Sequence, residues 1–215
     1  MKSIRYTLIA DGSSDKALMN VIKWLLDDLF PKMPSQGYYG DFRMLQNPPR
    51  KDEVMKQVKL AEQSYPFDIL FYHRDAESNS NSIVEERIAE IKEQLEEVYY
   101  PKTVFVIPIK MMENWLLFDE TAIKKAAGNR NYNKPVDLPS INRLEDFTNP
   151  KQKLHGLLRE VSGKKSRQLK NFNVQQAVHL VAENIKDFNP LRQLEAFRKF
   201  EESLKKTIEC IINKD

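Results

Sequence analysis

Short apolar runs alternate with helix-patterned stretches through the first 120 residues. Ile4-Arg5-Tyr6-Thr7-Leu8-Ile9-Ala10 is rich in β-branched and apolar residues and predicts a strand. A helix is predicted over about 15–30, where Leu18, Val21, Ile22, Leu25, Leu26 and Leu29 share one stripe and Pro31 and Pro34 lie beyond its end. A short strand is expected at Phe42-Arg43-Met44-Leu45, and a helix from about Asp52 to Ser64. Asp68-Ile69-Leu70-Phe71-Tyr72-His73 suits a strand buried on both faces. A charged helix follows at about 81–98, then a strand at Thr103–Ile109, where Pro108 places the segment at a strand end or sheet edge. A short helix carries Trp115, Leu116 and Leu117. Alternation of this kind implies an α/β fold, a doubly wound and mainly parallel sheet with right-handed crossovers.

After about Ala127 the pattern changes. Residues 128–150 are rich in Asn and Pro and read as an irregular connection, and helical patterns return near 150–161, 173–186 and 190–213. The expected organisation is an α/β domain over 1–127 and a helical C-terminal layer or subdomain over 128–215.

Composition narrows the class. Hydrophobic residues make up 41%, enough for a core, and no apolar run approaches the roughly 20 residues that span a bilayer. The brief apolar stretch before Asp11 does not have the layout of a signal peptide, so a cytoplasmic location is expected. A lone Cys210 excludes an internal disulfide and a cysteine-based zinc site. Net charge is +3, but it is unevenly spread: residues 1–120 carry 15 Lys+Arg against 20 Asp+Glu, residues 121–215 carry 19 against 11. A basic half beside acidic clusters suits a protein acting on a polyanion, although solvated lysine-rich helices have the same composition.

Candidate chemistry sits where the strands end. Asp11 and Asp15 follow the first strand, Asp75 and Glu77 follow the His73-Arg74 step, and Glu113 follows the strand at 103–109. In an open parallel sheet, residues beyond the carboxyl ends of strands converge on one crevice. Carboxylates gathered there repel one another unless a hard cation such as Mg²⁺ or Mn²⁺ lies among them. Asp11, Asp75, Glu77 and Glu113 are therefore the candidate metal ligands and catalytic residues, with Asp15 an accessory acid. Two acids at i and i+2 of an extended segment point the same way, so Asp75 and Glu77 could reach one ion. Asp11, Asp15 and Glu113 also suit helix capping. His73 reads first as a hydrogen-bonded histidine, and His155 and His179 as structural. Lys164, Lys165, Arg167 and Lys170 form the candidate phosphate-contact patch for a nucleic acid, with a solvated loop as the alternative.

The order strand, Asp11-Gly12-Ser13-Ser14-Asp15, helix, strand, Asp75-Ala76-Glu77 resembles the TOPRIM domain of topoisomerases, primases and OLD-type nucleases. In that family the first acid is normally Glu and the second motif Asp-x-Asp, so Asp11 and Glu77 each keep a carboxylate but change its reach by one methylene. The stretches Phe71–Glu77, Met112–Asp119 and Ala126–Asn129 are similar to small TOPRIM-like proteins often encoded beside ABC-type ATPases in phage-defence loci. The resemblance covers roughly residues 4–120. It implies a Mg²⁺- or Mn²⁺-dependent nuclease or phosphodiester-transfer protein acting on DNA or RNA, or else a noncatalytic regulatory or docking partner of an ABC-type ATPase. A haloacid-type phosphatase would need an Asp two residues after Asp11, and Ser13 stands there.

Overall fold

A computed structural model describes residues 3–78, 80 and 82–213. The first apolar run forms β1 (Ile4–Ile9), and the two later ones form β3 (Ile69–His73) and β4 (Thr103–Val106). The fourth strand, β2, spans Ser35–Gly40 rather than residues 42–45. Gly37 is the reason such a polar segment can pair. A Cβ there would lie 2.3 Å from the Tyr6 ring, so only glycine lets that ring fold across the edge strand. Phe42 and its neighbours lie in the turn that follows.

Among the described residues the strands form one sheet in the order β2-β1-β3-β4, with every pair parallel. This is an α/β fold. Successive strand residues point to opposite faces, and the two faces have separate cores. Tyr6, Leu8, Phe71, Val104 and Val106 face one, and Ile9, Leu70, Tyr72, Phe105 and Ile107 face the other. The second face is covered by α2 (Val54–Ser64) and α3 (Ser82–Gln94). Burial on both sides accounts for the continuous apolar character of β3.

The first face packs against α1 (Leu18–Leu29) and against the C-terminal part of the chain. That part contains α4 (Glu120–Ala126), α5 (Pro150–Val161), the short α6 (Ser166–Lys170), α7 (Val174–Asn184) and α8 (Glu195–Ile212). Helix α8 buries Phe197, Phe200, Leu204 and Ile208. The Phe200 ring stacks on Trp115 at 5.8 Å and meets Phe71 of the sheet edge-on at 6.1 Å. Helices α4, α5 and α7 pack on one another beside it. The helical C-terminal part is thus one layer of a shared core. Among the described residues no helix is long and apolar enough to cross a membrane.

Candidate active site

The chain passes from β1 to β2 on one side and then returns to place β3 on the other side of β1. This reversal opens a crevice at the carboxyl ends of β1 and β3, the position where ligands bind in open α/β sheets. Its volume is about 390 Å³, and Asp11, Asp15, His73, Asp75, Glu77 and Glu113 all line it.

The β1 side is a tight turn. Asp15 folds back so that Oδ2 accepts the Gly12 N–H at 2.7 Å, while Oδ1 accepts the Ser14 hydroxyl at 3.1 Å. A Cβ on Gly12 would stand 3.0 Å from Asp15 Oδ2, so glycine permits the fold-back. Tyr39 of β2 donates its hydroxyl to the Gly12 carbonyl at 2.7 Å and fixes the turn to the edge strand. Asp11 is left facing the crevice, with Lys51 Nζ 3.5 Å from its Oδ2.

The β3 and β4 side extends the parallel pairing past both strands. Ala76 N–H donates to Pro108 O, Glu77 N–H to Lys110 O, and Lys110 N–H to Ser78 O. Glu77 and Lys110 both adopt left-handed backbone, with φ of 57° and 60°. The extended geometry expected from Asp75 to Glu77 therefore breaks at Glu77, which is exposed while Asp75 is half-buried. Both still line the crevice. Asp75 Oδ1 accepts the Met112 N–H at 2.9 Å, which ties the β3 end to the 3-10 turn Met112–Leu116. That turn carries Glu113, which is 2% exposed and whose Oε1 has no hydrogen-bond partner among the described residues.

Burial raises the Asp75 carboxyl pKa, and the charges of Asp15 and Asp11 push the same way against His73 and the Met112 N–H. Burial likewise raises Glu113, opposed by its own backbone N–H and by Lys151 and reinforced by Asp75 and Asp15. Each acid thus destabilises the charge of the next. Cations also line the crevice: Lys51, Arg74, Arg87 and Lys151. Arg74 donates to the Lys51 carbonyl at 2.8 Å, and Lys151 Nζ lies 3.9 Å from Glu113 Oε1.

The donor chemistry fits a hard divalent cation: carboxylate oxygens, one of them buried and without a hydrogen bond among the described residues, in a site where the acids repel. As the side chains stand, no group of three or more His, Cys, Asp or Glu among the described residues forms a ready-made ion site. Sequence reasoning placed the four acids; it did not place Lys51, Arg87 or Lys151. Lys51 lies in the turn just before α2, in a stretch that carries no strand or helix signal, and Lys151 arrives from the first turn of α5, far along the chain. Lys164, Lys165, Arg167 and Lys170 are exposed and do not line the crevice; Lys164 Nζ lies over the Phe172 ring at 4.9 Å. Compared with protein-family models, curated proteins and solved structures, the chain matches none.

Proposed function

We propose that this chain is a metal-dependent nuclease or phosphodiester-transfer protein acting on DNA or RNA. One observation carries the reading: acids from three separate strand ends and four cations line a single crevice at the point where the strand order reverses. Asp11, Asp75, Glu77 and Glu113 would hold Mg²⁺ or Mn²⁺, which supplies Lewis-acid polarisation of a phosphoryl oxygen when bound. Lys51, Arg74, Arg87 and Lys151 offer N–H donors to the remaining phosphate oxygens. If Asp11, which lines the crevice beside Lys51, is not itself a metal ligand, it would act instead as the general base that takes a proton from the attacking water. The resemblance to TOPRIM-like proteins agrees with this chemistry and suggests defence against phage or mobile elements as its setting.

The test is Mn²⁺-dependent cleavage of plasmid, single-stranded DNA and RNA by wild type and by Asp75→Asn. The substitution keeps an oxygen to accept the Met112 N–H and removes the charge, so the fold should persist by melting curve while cleavage is lost. Equal cleavage by the variant removes Asp75 from the reaction. No cleavage of any substrate by folded wild type overturns the enzymatic reading in favour of a docking role.

A further inference from the structure

His73 is the last residue of β3 and is 1% exposed, yet it lines the acidic crevice. Its Nδ1 lies 2.8 Å from the Val106 carbonyl oxygen of β4. A carbonyl only accepts, so Nδ1 carries a hydrogen and the ring orientation is fixed by the parallel pairing of β3 with β4. Nε2 is turned toward the carboxylates, 3.5 Å from Asp75 Oδ1 and 3.7 Å from Asp15 Oδ2.

Those two separations are informative. They exceed the usual N–H···O range of about 2.7–3.2 Å, so a proton on Nε2 would make a poor hydrogen bond to either oxygen. They are close to the spacing of two donors sharing one ion. With metal–ligand distances of about 2.0–2.2 Å and a tetrahedral angle, neighbouring donors stand roughly 3.3–3.6 Å apart. Asp75 Oδ1 and Asp15 Oδ2 each accept one backbone N–H, which leaves a lone pair on each. The Nδ1–H···O=C bond is also the contact that orients metal-bound histidines. Independently, the buried Glu113 Oε1 in the same crevice has no hydrogen-bond partner among the described residues.

We propose that His73 Nε2 is a direct ligand of this site, together with Asp15 and Asp75, and that the crevice therefore selects a transition ion such as Mn²⁺, Co²⁺ or Zn²⁺ over Mg²⁺. The inference rests on the metal-dependent reading above and changes its content: Asp15 becomes a ligand, and the preferred ion is one that accepts an imidazole nitrogen. Mg²⁺ demands near-ideal octahedral oxygen coordination, whereas imidazole suits the later divalent ions. Each carboxylate stands at a workable distance from Nε2, but no three donors among the described residues stand ready-made around one point, so the side chains must rearrange on binding.

The experiment uses the full chain, stripped of metal, with no nucleic acid present. Calorimetric titration with MnCl₂, CoCl₂, ZnCl₂ and MgCl₂ should give tighter binding of Mn²⁺, Co²⁺ and Zn²⁺ than of Mg²⁺, and His73→Asn should weaken those three by about tenfold or more. Pulsed electron paramagnetic resonance of Mn²⁺ bound to wild type should show coupling to an imidazole ¹⁴N, a readout that needs no variant and survives if His73→Asn fails to fold. Absence of nitrogen coupling, or wild-type affinity for Mn²⁺ and Co²⁺ in a folded His73→Asn, overturns the inference while leaving an all-oxygen Mg²⁺ site intact. If wild type binds none of the four ions, the metal-dependent function itself falls.

Discussion

A buried carboxylate with an unpaired oxygen is a liability for folding that a bound cation can relieve. Glu113, held at the crevice by a 3-10 turn, has no hydrogen bond to its Oε1 among the described residues, and Lys151 Nζ approaches that oxygen only to 3.9 Å. Leaving a charged group buried without its hydrogen bonds costs about 1–3 kcal/mol or more, so Glu113→Gln should stabilise the metal-free protein by about 1–2 kcal/mol at neutral pH and abolish cleavage. The pH dependence has a definite sign. A carboxyl whose folded pKa lies above its unfolded value contributes stability below the unfolded pKa, and that contribution disappears as pH rises through the folded one. The advantage of Glu113→Gln should therefore be greatest near neutrality and shrink as pH falls through the raised Glu113 pKa. Urea denaturation of both proteins between pH 4 and pH 8, in chelator, checks this; an advantage that grows toward acid contradicts it.

At the scale of elements, the acids owe their convergence to strands whose ends are set by packing elsewhere. Trp115 lies two residues beyond Glu113 and is seated between Phe197 and Phe200 of α8, with ring centroids 5.1 and 5.8 Å away. Phe200→Ala should cost about 3–5 kcal/mol, the usual penalty for emptying a buried aromatic site. It should also weaken Mn²⁺ binding by loosening the turn that carries Glu113, and thermal melts with a parallel Mn²⁺ titration measure both effects. Helix α8 is thus a remote support for the site. Its apolar spacing was legible in the sequence, as were β1, β3 and the position of each acid just past a strand. The edge strand β2 was not, because Gly37 and Gly40 signal a turn unless the Tyr6 ring crossing above Gly37 is already known. Nor was the left-handed turn at Glu77, since nothing in an Asp-Ala-Glu run announces positive φ. His73 was legible as a residue, but its orientation depends on the Val106 carbonyl of a strand 33 positions later.

At the scale of the whole molecule, the charge imbalance between the two halves acquires a location. Residues 1–120 provide the acids together with Lys51, Arg74 and Arg87, while the basic C-terminal part reaches the crevice through Lys151. The exposed cations of Lys164, Lys165, Arg167 and Lys170 lie outside it. On the proposed function the two cation sets would have different tasks: crevice cations would stand next to the reacting phosphate, and the outlying ones would hold neighbouring phosphates along the backbone. Replacing all four outlying residues by Ala should weaken binding without regard to sequence and lower the log–log salt slope by about 0.7–0.9 per lost contact, while a very short substrate is still cleaved. Replacing Lys51 and Lys151 together should change the slope less and suppress cleavage of short and long substrates alike, because those side chains sit beside Asp11 and Glu113. Anisotropy titrations over a range of salt, run beside cleavage assays, separate the two sets. Were the four-residue variant to bind with unchanged affinity and slope, Lys164 to Lys170 would be a solvated surface, and the substrate would be held by the crevice alone.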